Sequence, residues 1–200
     1  MIQQFRCELI SWATVKHLSH NLAVKIRNAS FEPDVVVAIA RGGYVPARLL
    51  CDCLNLTDLR SIRIAHYKAG AQKRQKAKLV ESLCRDLGGR NVLLVDDVSD
   101  SGDTLELARH HMVEYNAGPI RTAVLHHKQT STVKPDFYAQ RIIKWRWIIY
   151  PWAVVEDLTG FIDRMPNRPA DSGEAVMLLQ KYWGLRIRQS LVEEIFMTHD

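Results

Sequence analysis

Two hydrophobic patterns alternate along the first part of the chain. Residues 12–26 place an apolar side chain at every third or fourth position, which predicts a helix with Ser11 as its cap. The apolar run Val35–Ile39 is short and rich in valine, which is typical of a strand buried on both faces. A turn follows, and Pro46 then opens a predicted helix that ends at Leu54.

The same alternation continues further along the chain. Strands are predicted at residues 61–65, 92–95 and 122–125, and a helix at residues 104–116. Strands that alternate with helices indicate an α/β fold with a mostly parallel central sheet flanked by helices. Ligands of such sheets bind beyond the carboxyl ends of the strands. Residues 66–78 hold several basic residues, no acidic residue and no clear apolar period, which predicts a mobile basic loop.

The character of the chain changes after Pro151. Residues 163–173 are rich in proline and polar residues and predict a linker, and residues 174–197 predict one or two short amphipathic helices. We therefore expect one domain over residues 1–160 and a linker with a helical C-terminal extension over residues 161–200.

Composition and charge narrow the class of protein. The 200 residues are 47% hydrophobic and 24% charged, which is ordinary for a globular domain with a sizeable core. The N-terminus lacks a signal-peptide core, and the four cysteines lack the paired spacing of a zinc site. We therefore expect a cytoplasmic protein that makes no contact with a membrane. The net charge of +5 fits an anionic ligand.

The segment Val92–Leu105 concentrates the candidate chemistry. A buried strand delivers two adjacent acids, and a short loop then leads into a helix through Asp100, Ser101, Gly102, Asp103 and Thr104. Backbone N–H groups at a helix N-terminus bind phosphate, and glycine allows close approach. A Walker B strand is the rival interpretation, but the sequence has no G-x-x-x-x-G-K-[ST] loop. A structural corner with surface acids is the simpler alternative.

Residues 92–105, VLLVDDVSDSGDTL, resemble the signature of type I phosphoribosyltransferases, which use 5-phosphoribosyl diphosphate (PRPP). Residues 40–46 resemble the diphosphate loop of that family. Lys128 and residues 147–152 resemble the base-binding end of its xanthine-guanine and hypoxanthine-guanine branch. The resemblance covers roughly residues 10–155 and implies a type I phosphoribosyltransferase fold with a small hood near the base site. The chain departs from the family at Asp103, which adds negative charge beside a phosphate.

The resemblance implies a role for each acid of the segment. Asp96 and Asp97 would hold the ribose hydroxyls of PRPP, and Asp97 would also bind Mg²⁺. Asp100 matches the general base that takes the proton from purine N7. The alternative for Asp100 is a helix N-cap, a position that aspartate favours.

Other residues are assigned by the same resemblance. The 5′-phosphate would be bound by Ser101, Gly102, Asp103 and Thr104, and the diphosphate by Arg41 and Gly42, with Lys73 or Arg74 reaching it from the basic loop. Lys128 would donate to purine O6, Trp147 would stack on the base, and the backbone of Ile148 would contact the ring edge. Core packing is the alternative for Trp147.

The function implied is transfer of the phosphoribosyl group from PRPP to guanine, hypoxanthine or xanthine, with Mg²⁺, in purine salvage. One alternative is a PRPP-sensing regulatory protein that binds nucleic acid, although Glu174, Glu193 and Glu194 dilute any basic face of the extension. Another is a phosphoribosyltransferase for a different base. The resemblance also implies a homodimer, and we expect no nucleic acid partner for the enzyme.

Overall fold

The computed structural model describes residues 4–67 and 76–198. The chain forms two compact units. The larger is Val15–Lys144, and the smaller combines Met1–Thr14 with Trp145–Asp200. Within the described ranges, every helix is too short or too polar to cross a bilayer. The boundary near residue 160 expected from composition stays a prediction.

The elements are named in chain order. The strands are β1 (Cys7–Leu9), β2 (Val35–Ala40), β3 (Leu59–Tyr67), β4 (Lys76–Glu81), β5 (Val92–Ser99), β6 (Ile120–Lys128), β7 (Phe137–Ile142) and β8 (Trp147–Ile149). The helices are α1 (Trp12–Asn28), α2 (Tyr44–Leu54), α3 (Asp103–Glu114), α4 (Val154–Ile162), α5 (Ser172–Trp183) and α6 (Gln189–Thr198). The Ser11 hydroxyl accepts a hydrogen bond from the Thr14 N–H at 3.1 Å, so Ser11 caps α1 as predicted.

The larger unit is built on a six-stranded sheet in the order β4-β3-β2-β5-β6-β7. All neighbouring strands are parallel except the pair β3–β4. Every residue of β2 is buried, as are the first five residues of β5. These two strands therefore form the centre of the core, and the predicted α/β fold with a mostly parallel sheet is confirmed.

The predicted basic loop over residues 66–78 is wrong at both ends. His66 and Tyr67 end β3, and Lys76 begins β4 opposite Tyr67 in an antiparallel pair. In β4, Ala77 and Leu79 pack against the core and Lys78 is exposed. Partly buried and exposed residues therefore alternate as in a strand, although the lysines make this pattern hard to recognise in the sequence. Charged side chains on an edge strand also protect it from pairing with other chains. Residues 68–75, which include Lys73 and Arg74, lie outside the described residues.

The smaller unit has its own hydrophobic core. β1 and β8 pair in parallel, and α4, α5 and α6 complete the unit. Its fully buried members include Ile149, Leu158, Leu179 and Val192. The C-terminal extension thus folds as two helices, in agreement with the sequence pattern, and it shares one core with the N-terminal strand.

Candidate active site

The acids Asp96 and Asp97 lie in the last part of β5. Asp96 is only 8% exposed, and one of its carboxylate oxygens accepts the Asp97 N–H at 2.9 Å. Burial, and then the neighbouring Asp97 carboxylate, raise the pKa of Asp96 well above its usual range. The last part of β5 therefore holds two adjacent carboxyl groups, and the buried one, Asp96, has a raised pKa.

The turn after β2 packs directly against this acid pair. A Cβ placed on Gly42 would lie 2.3 Å from Oδ2 of Asp97, and one on Gly43 would lie 2.4 Å from the carbonyl oxygen of Val95. Only glycine allows such approach. The peptide that joins Ala40 to Arg41 is cis, and Arg41 itself is exposed. The turn and the acids, which are distant in sequence, thus form one site.

The loop from Ser99 to Gly102 is held by the residues that follow β6. The Ser101 carbonyl accepts hydrogen bonds from the Thr132 N–H and hydroxyl, both at 2.9 Å, and the Ser99 and Ser131 hydroxyls lie 2.7 Å apart. Gly102 has a φ of 99°, and a Cβ there would lie 2.8 Å from Val133. A larger residue is excluded at this position both by its backbone conformation and by space.

The helix α3 begins directly after this glycine. Gly102 is its N-cap and, as a glycine, has no side chain to bind the first N–H groups of the helix. The Ser101 hydroxyl accepts the Asp103 N–H at 3.3 Å, and His66 Nε2 lies 3.0 Å from the Thr104 hydroxyl. Asp103 is exposed, so its carboxylate remains hydrated. The result is a helix N-terminus with two hydroxyls, which suits a phosphate group.

Asp100 forms an ion pair with Lys128, the last residue of β6. The Lys128 Nζ lies 2.6 Å from Asp100 Oδ2, and the lysine side chain is 4% exposed whereas that of the aspartate is 43% exposed. The Thr130 hydroxyl lies 3.3 Å from the other oxygen, Oδ1. The N-cap alternative for Asp100 is wrong, because α3 starts three residues later and the carboxylate is bound by the β6 end instead.

Trp147 and Ile148 belong to the smaller unit. Trp147 opens β8 and is half-buried, with ring centroids 6.3 Å from Phe5 and 6.4 Å from Phe161. Ile148 is 7% exposed and pairs with Glu8 of β1. Packing within this unit therefore accounts for part of the Trp147 surface.

Sequence reasoning missed the run Thr130-Ser131-Thr132 and also His66. These hydroxyls contact Asp100, Ser99 and Ser101 and hold the loop before α3. The signal was a run of three consecutive hydroxyl residues shortly beyond the strand predicted at residues 122–125, on the side of the sheet where ligands bind. His126 and His127, by contrast, are buried in β6, where burial and then the nearby Arg141 lower the pKa of His127.

A partly buried acid pair, a glycine turn against it and a helix N-terminus with a glycine cap lie at one edge of a mostly parallel sheet, an arrangement suited to phosphorylated sugars. The sequence matches the phosphoribosyl transferase domain over residues 11–157, and the chain belongs to the phosphoribosyltransferase family. The resemblance to this family inferred from the sequence, and the expectation of an enzyme, are confirmed.

Three relatives illustrate the match. A xanthine-guanine phosphoribosyltransferase of Ruegeria sp. (strain TM1040) is 30% identical over 153 residues, which cover 72% of this chain and 83% of the relative. The structure of a purine phosphoribosyltransferase from Pyrococcus horikoshii Ot3 superposes with a TM-score of 0.64 at 34% identity. The match covers 73% of this chain and 93% of the Pyrococcus chain. The structure of a hypothetical protein from Neisseria gonorrhoeae with bound ppGpp superposes with a TM-score of 0.67 at 30% identity. The match covers 76% of this chain and 91% of the Neisseria chain.

Proposed function

We propose that this enzyme transfers the 5-phosphoribosyl group of PRPP to a 6-oxopurine, giving the nucleoside monophosphate and diphosphate. The ion pair between Asp100 and Lys128 carries this proposal. Asp100 can accept a proton from the base, and Lys128 beside it can donate a hydrogen bond to the exocyclic oxygen of a 6-oxopurine. The names of the relatives, xanthine-guanine and purine phosphoribosyltransferase, support the choice of a purine.

In this proposal the loop before α3 binds the 5′-phosphate of PRPP. Ser101, Gly102, Asp103 and Thr104 would offer backbone N–H groups and two hydroxyls, and the exposed Asp103 carboxylate would point to water. Arg41 and the backbone of Gly42 would bind the diphosphate. Lys73 or Arg74 would add positive charge to it, as the sequence resemblance implies.

Asp96 and Asp97 would bind the ribose hydroxyls. The described residues contain no group of three or more candidate metal ligands. Asp97 would be the residue that holds Mg²⁺. The carboxylate oxygens of the acid pair are ligands of the type that Mg²⁺ prefers. Such an ion, when bound, would neutralise charge on the departing diphosphate.

The reaction would proceed with separation of charge at the sugar. The bond from C1′ to the diphosphate oxygen breaks, the purine N9 forms the new bond to C1′, and the proton on N7 passes to Asp100. Lys128 would donate to purine O6, Trp147 would stack on the ring and the backbone of Ile148 would contact its edge. The carboxylates at the ribose stabilise the positive charge that develops there.

The first test is diphosphate release from PRPP and Mg²⁺ with guanine, hypoxanthine, xanthine and adenine as separate substrates. We expect turnover with at least one 6-oxopurine, and Asp100→Asn should lower kcat by roughly 10²- to 10⁴-fold. Asp52→Asn, an exposed carboxylate on α2, is the matched control and should change little. Turnover with adenine alone would contradict the proposed base. Salt-sensitive binding to duplex DNA without turnover would favour a regulatory function.

A second ligand is suggested by one structural relative. The Neisseria gonorrhoeae protein is described with bound ppGpp, a guanine nucleotide that carries two diphosphates. We propose that this chain binds ppGpp at the sites for the purine and the phosphates. Inhibition that is competitive with PRPP is the expected result, so the ppGpp concentration that halves the rate should rise with the PRPP concentration. A half-inhibiting concentration that does not change with PRPP would contradict the proposal.

Location and assembly also remain proposals. All four cysteines are free thiols, which suits a reducing cytoplasm. The homodimer implied by the family resemblance can be tested by sedimentation equilibrium.

A further inference from the structure

The smaller unit contains an aromatic cluster, formed by Phe5, Trp147, Phe161 and Trp183. Trp183 stacks on Phe161, with centroids 4.9 Å apart and planes inclined by 21°, and its centroid lies 6.3 Å from that of Phe5. Phe5 and Phe161 in turn both contact Trp147. Trp183 therefore contacts both supports of Trp147.

The position of Trp183 is fixed by the way α5 begins and ends. The Asp171 carboxylate accepts the Glu174 N–H at 2.8 Å and so caps the helix, and the Glu174 carboxylate accepts the Ala170 N–H, just before the cap, at 2.7 Å. Gly184 ends the helix with a φ of 69°. These caps set both ends of α5, and Trp183 is its last residue.

Trp183 is 1% exposed, and among the described residues its buried indole N–H has no hydrogen-bond partner. A buried donor without a partner is unfavourable, so hydrogen bonding does not explain a tryptophan here. What the residue contributes is the area and shape of its ring.

Three members of the cluster lie outside the part of the chain that matches the family. The match spans residues 11–157 and so includes Trp147, whereas Phe5, Phe161 and Trp183 come from the flanking segments. The N-terminal segment, the end of α4 and the C-terminal extension thus add a support for a tryptophan in the family's own region.

We propose that Trp183 is a positioning residue for the purine base. It holds Phe5 and Phe161 in place, and these two rings in turn fix the plane of Trp147. The inference rests on the proposed function, in which Trp147 stacks on the base. Stacking depends on ring orientation, because aromatic pairs favour particular geometries. A loosened Trp147 ring would therefore weaken base binding and leave PRPP binding unchanged.

The test compares KM for guanine with KM for PRPP in variants of the full-length enzyme. Trp183→Leu keeps an apolar side chain but removes the ring, and we expect it to raise the guanine KM by about three- to tenfold, the range that one aromatic pair supplies. The KM for PRPP should stay within about twofold. Trp183→Phe retains a ring and should restore most of the guanine affinity.

Two further variants guard against a merely structural effect. Val192→Ala opens a cavity in the same core without removing an aromatic ring, and it should leave both KM values unchanged. Phe5→Leu acts at a half-buried position that tolerates the change better, so it tests the same support if Trp183→Leu fails to fold. It should raise the guanine KM selectively.

The outcomes separate the two proposals. Wild-type turnover with an unchanged guanine KM in Trp183→Leu and Phe5→Leu would overturn the inference alone. A parallel rise of both KM values, or an equal effect of Val192→Ala, would also overturn it. Absence of turnover in the wild-type enzyme with every purine would overturn the proposed function and the inference together.

Discussion

At the scale of single residues, the buried carboxyl group of Asp96 beside Asp97 costs the folded protein stability when both are charged. Burial and the adjacent carboxylate raise the pKa of Asp96, so the folded protein holds its proton more tightly than the unfolded chain does. Stability that depends on this proton is present at low pH and is lost as pH rises above the ordinary value of 3.8 through the raised one. The free enzyme therefore carries an electrostatic strain at neutral pH.

Asp96→Asn should relieve this strain. We expect the substitution to stabilise the ligand-free protein at pH 7 by about 1 to 2 kcal/mol while it weakens PRPP binding. Thermal unfolding measured from pH 4 to pH 8 with and without PRPP would check both effects. The stabilisation should shrink as pH falls, and a variant less stable than wild type at pH 7 would contradict the argument.

The contact between Gly42 and Asp97 gives a second prediction for a single residue. A Cβ at Gly42 would lie 2.3 Å from the carboxylate oxygen, so Gly42→Ala must displace Asp97. Misplacement of a positioning group by an ångström costs about a hundredfold in rate, and we expect that loss in kcat/KM for PRPP. Steady-state kinetics check the effect, and a rate within about threefold of wild type would contradict it.

Much of this site could be predicted from the sequence, because Asp96–Thr104 are contiguous and their order alone suggests a strand, a phosphate loop and a helix. The contact of Gly42 with Asp97 and of Thr130 with Asp100 could not be predicted in the same way. Both depend on β5 lying between β2 and β6, which is a property of the sheet order.

At the scale of elements, long apolar runs were predicted well and short or charged strands were not. The predicted helices agree with α1, α2 and α3 within a few residues, since each has a clear apolar period. β1 and β8 have three residues each, too few for any period to emerge. β4 was not predicted because its lysines obscure the alternation of apolar residues. Its pairing with β3 depends on tertiary structure.

The helix α4 offers a stabilising substitution. Gly160 lies within this helix, and a Cβ there would meet nothing within 4 Å. Gly160→Ala should therefore stabilise the protein by about 0.5 to 1 kcal/mol, because alanine loses less backbone freedom in a helix. Denaturant unfolding would measure the gain, and a destabilised variant would contradict this prediction.

At the scale of the whole molecule, the C-terminal extension is part of a hydrophobic core and not a solvent-exposed appendage. Leu179 and Trp183 of α5 and Val192 of α6 are buried with Leu158 and Phe161 of α4. Hydrophobic side chains on both sides of the predicted linker thus depend on each other for burial.

Deletion of residues 164–200 should therefore expose apolar surface on α4 and β8. We expect a truncated protein that binds the dye ANS, aggregates or loses cooperative unfolding. Met177→Lys changes only the exposed face of α5, where the methionine is 66% exposed, and should leave solubility intact. A soluble truncated protein with the melting temperature of the full chain would contradict this account.

The strand order of the larger unit also affects how the chain folds during synthesis. β2 pairs with β5, so that Val35 lies beside Val92, and α2, β3 and β4 all intervene in the chain. Parallel pairing of distant segments requires a long loop to close before any hydrogen bond forms, which slows folding. During synthesis the apolar run VVVAIA must wait for β5 to leave the ribosome, and exposed segments of this kind self-associate. The yield of folded enzyme should therefore depend on slow translation, low temperature or chaperones more than that of a helical protein of the same length.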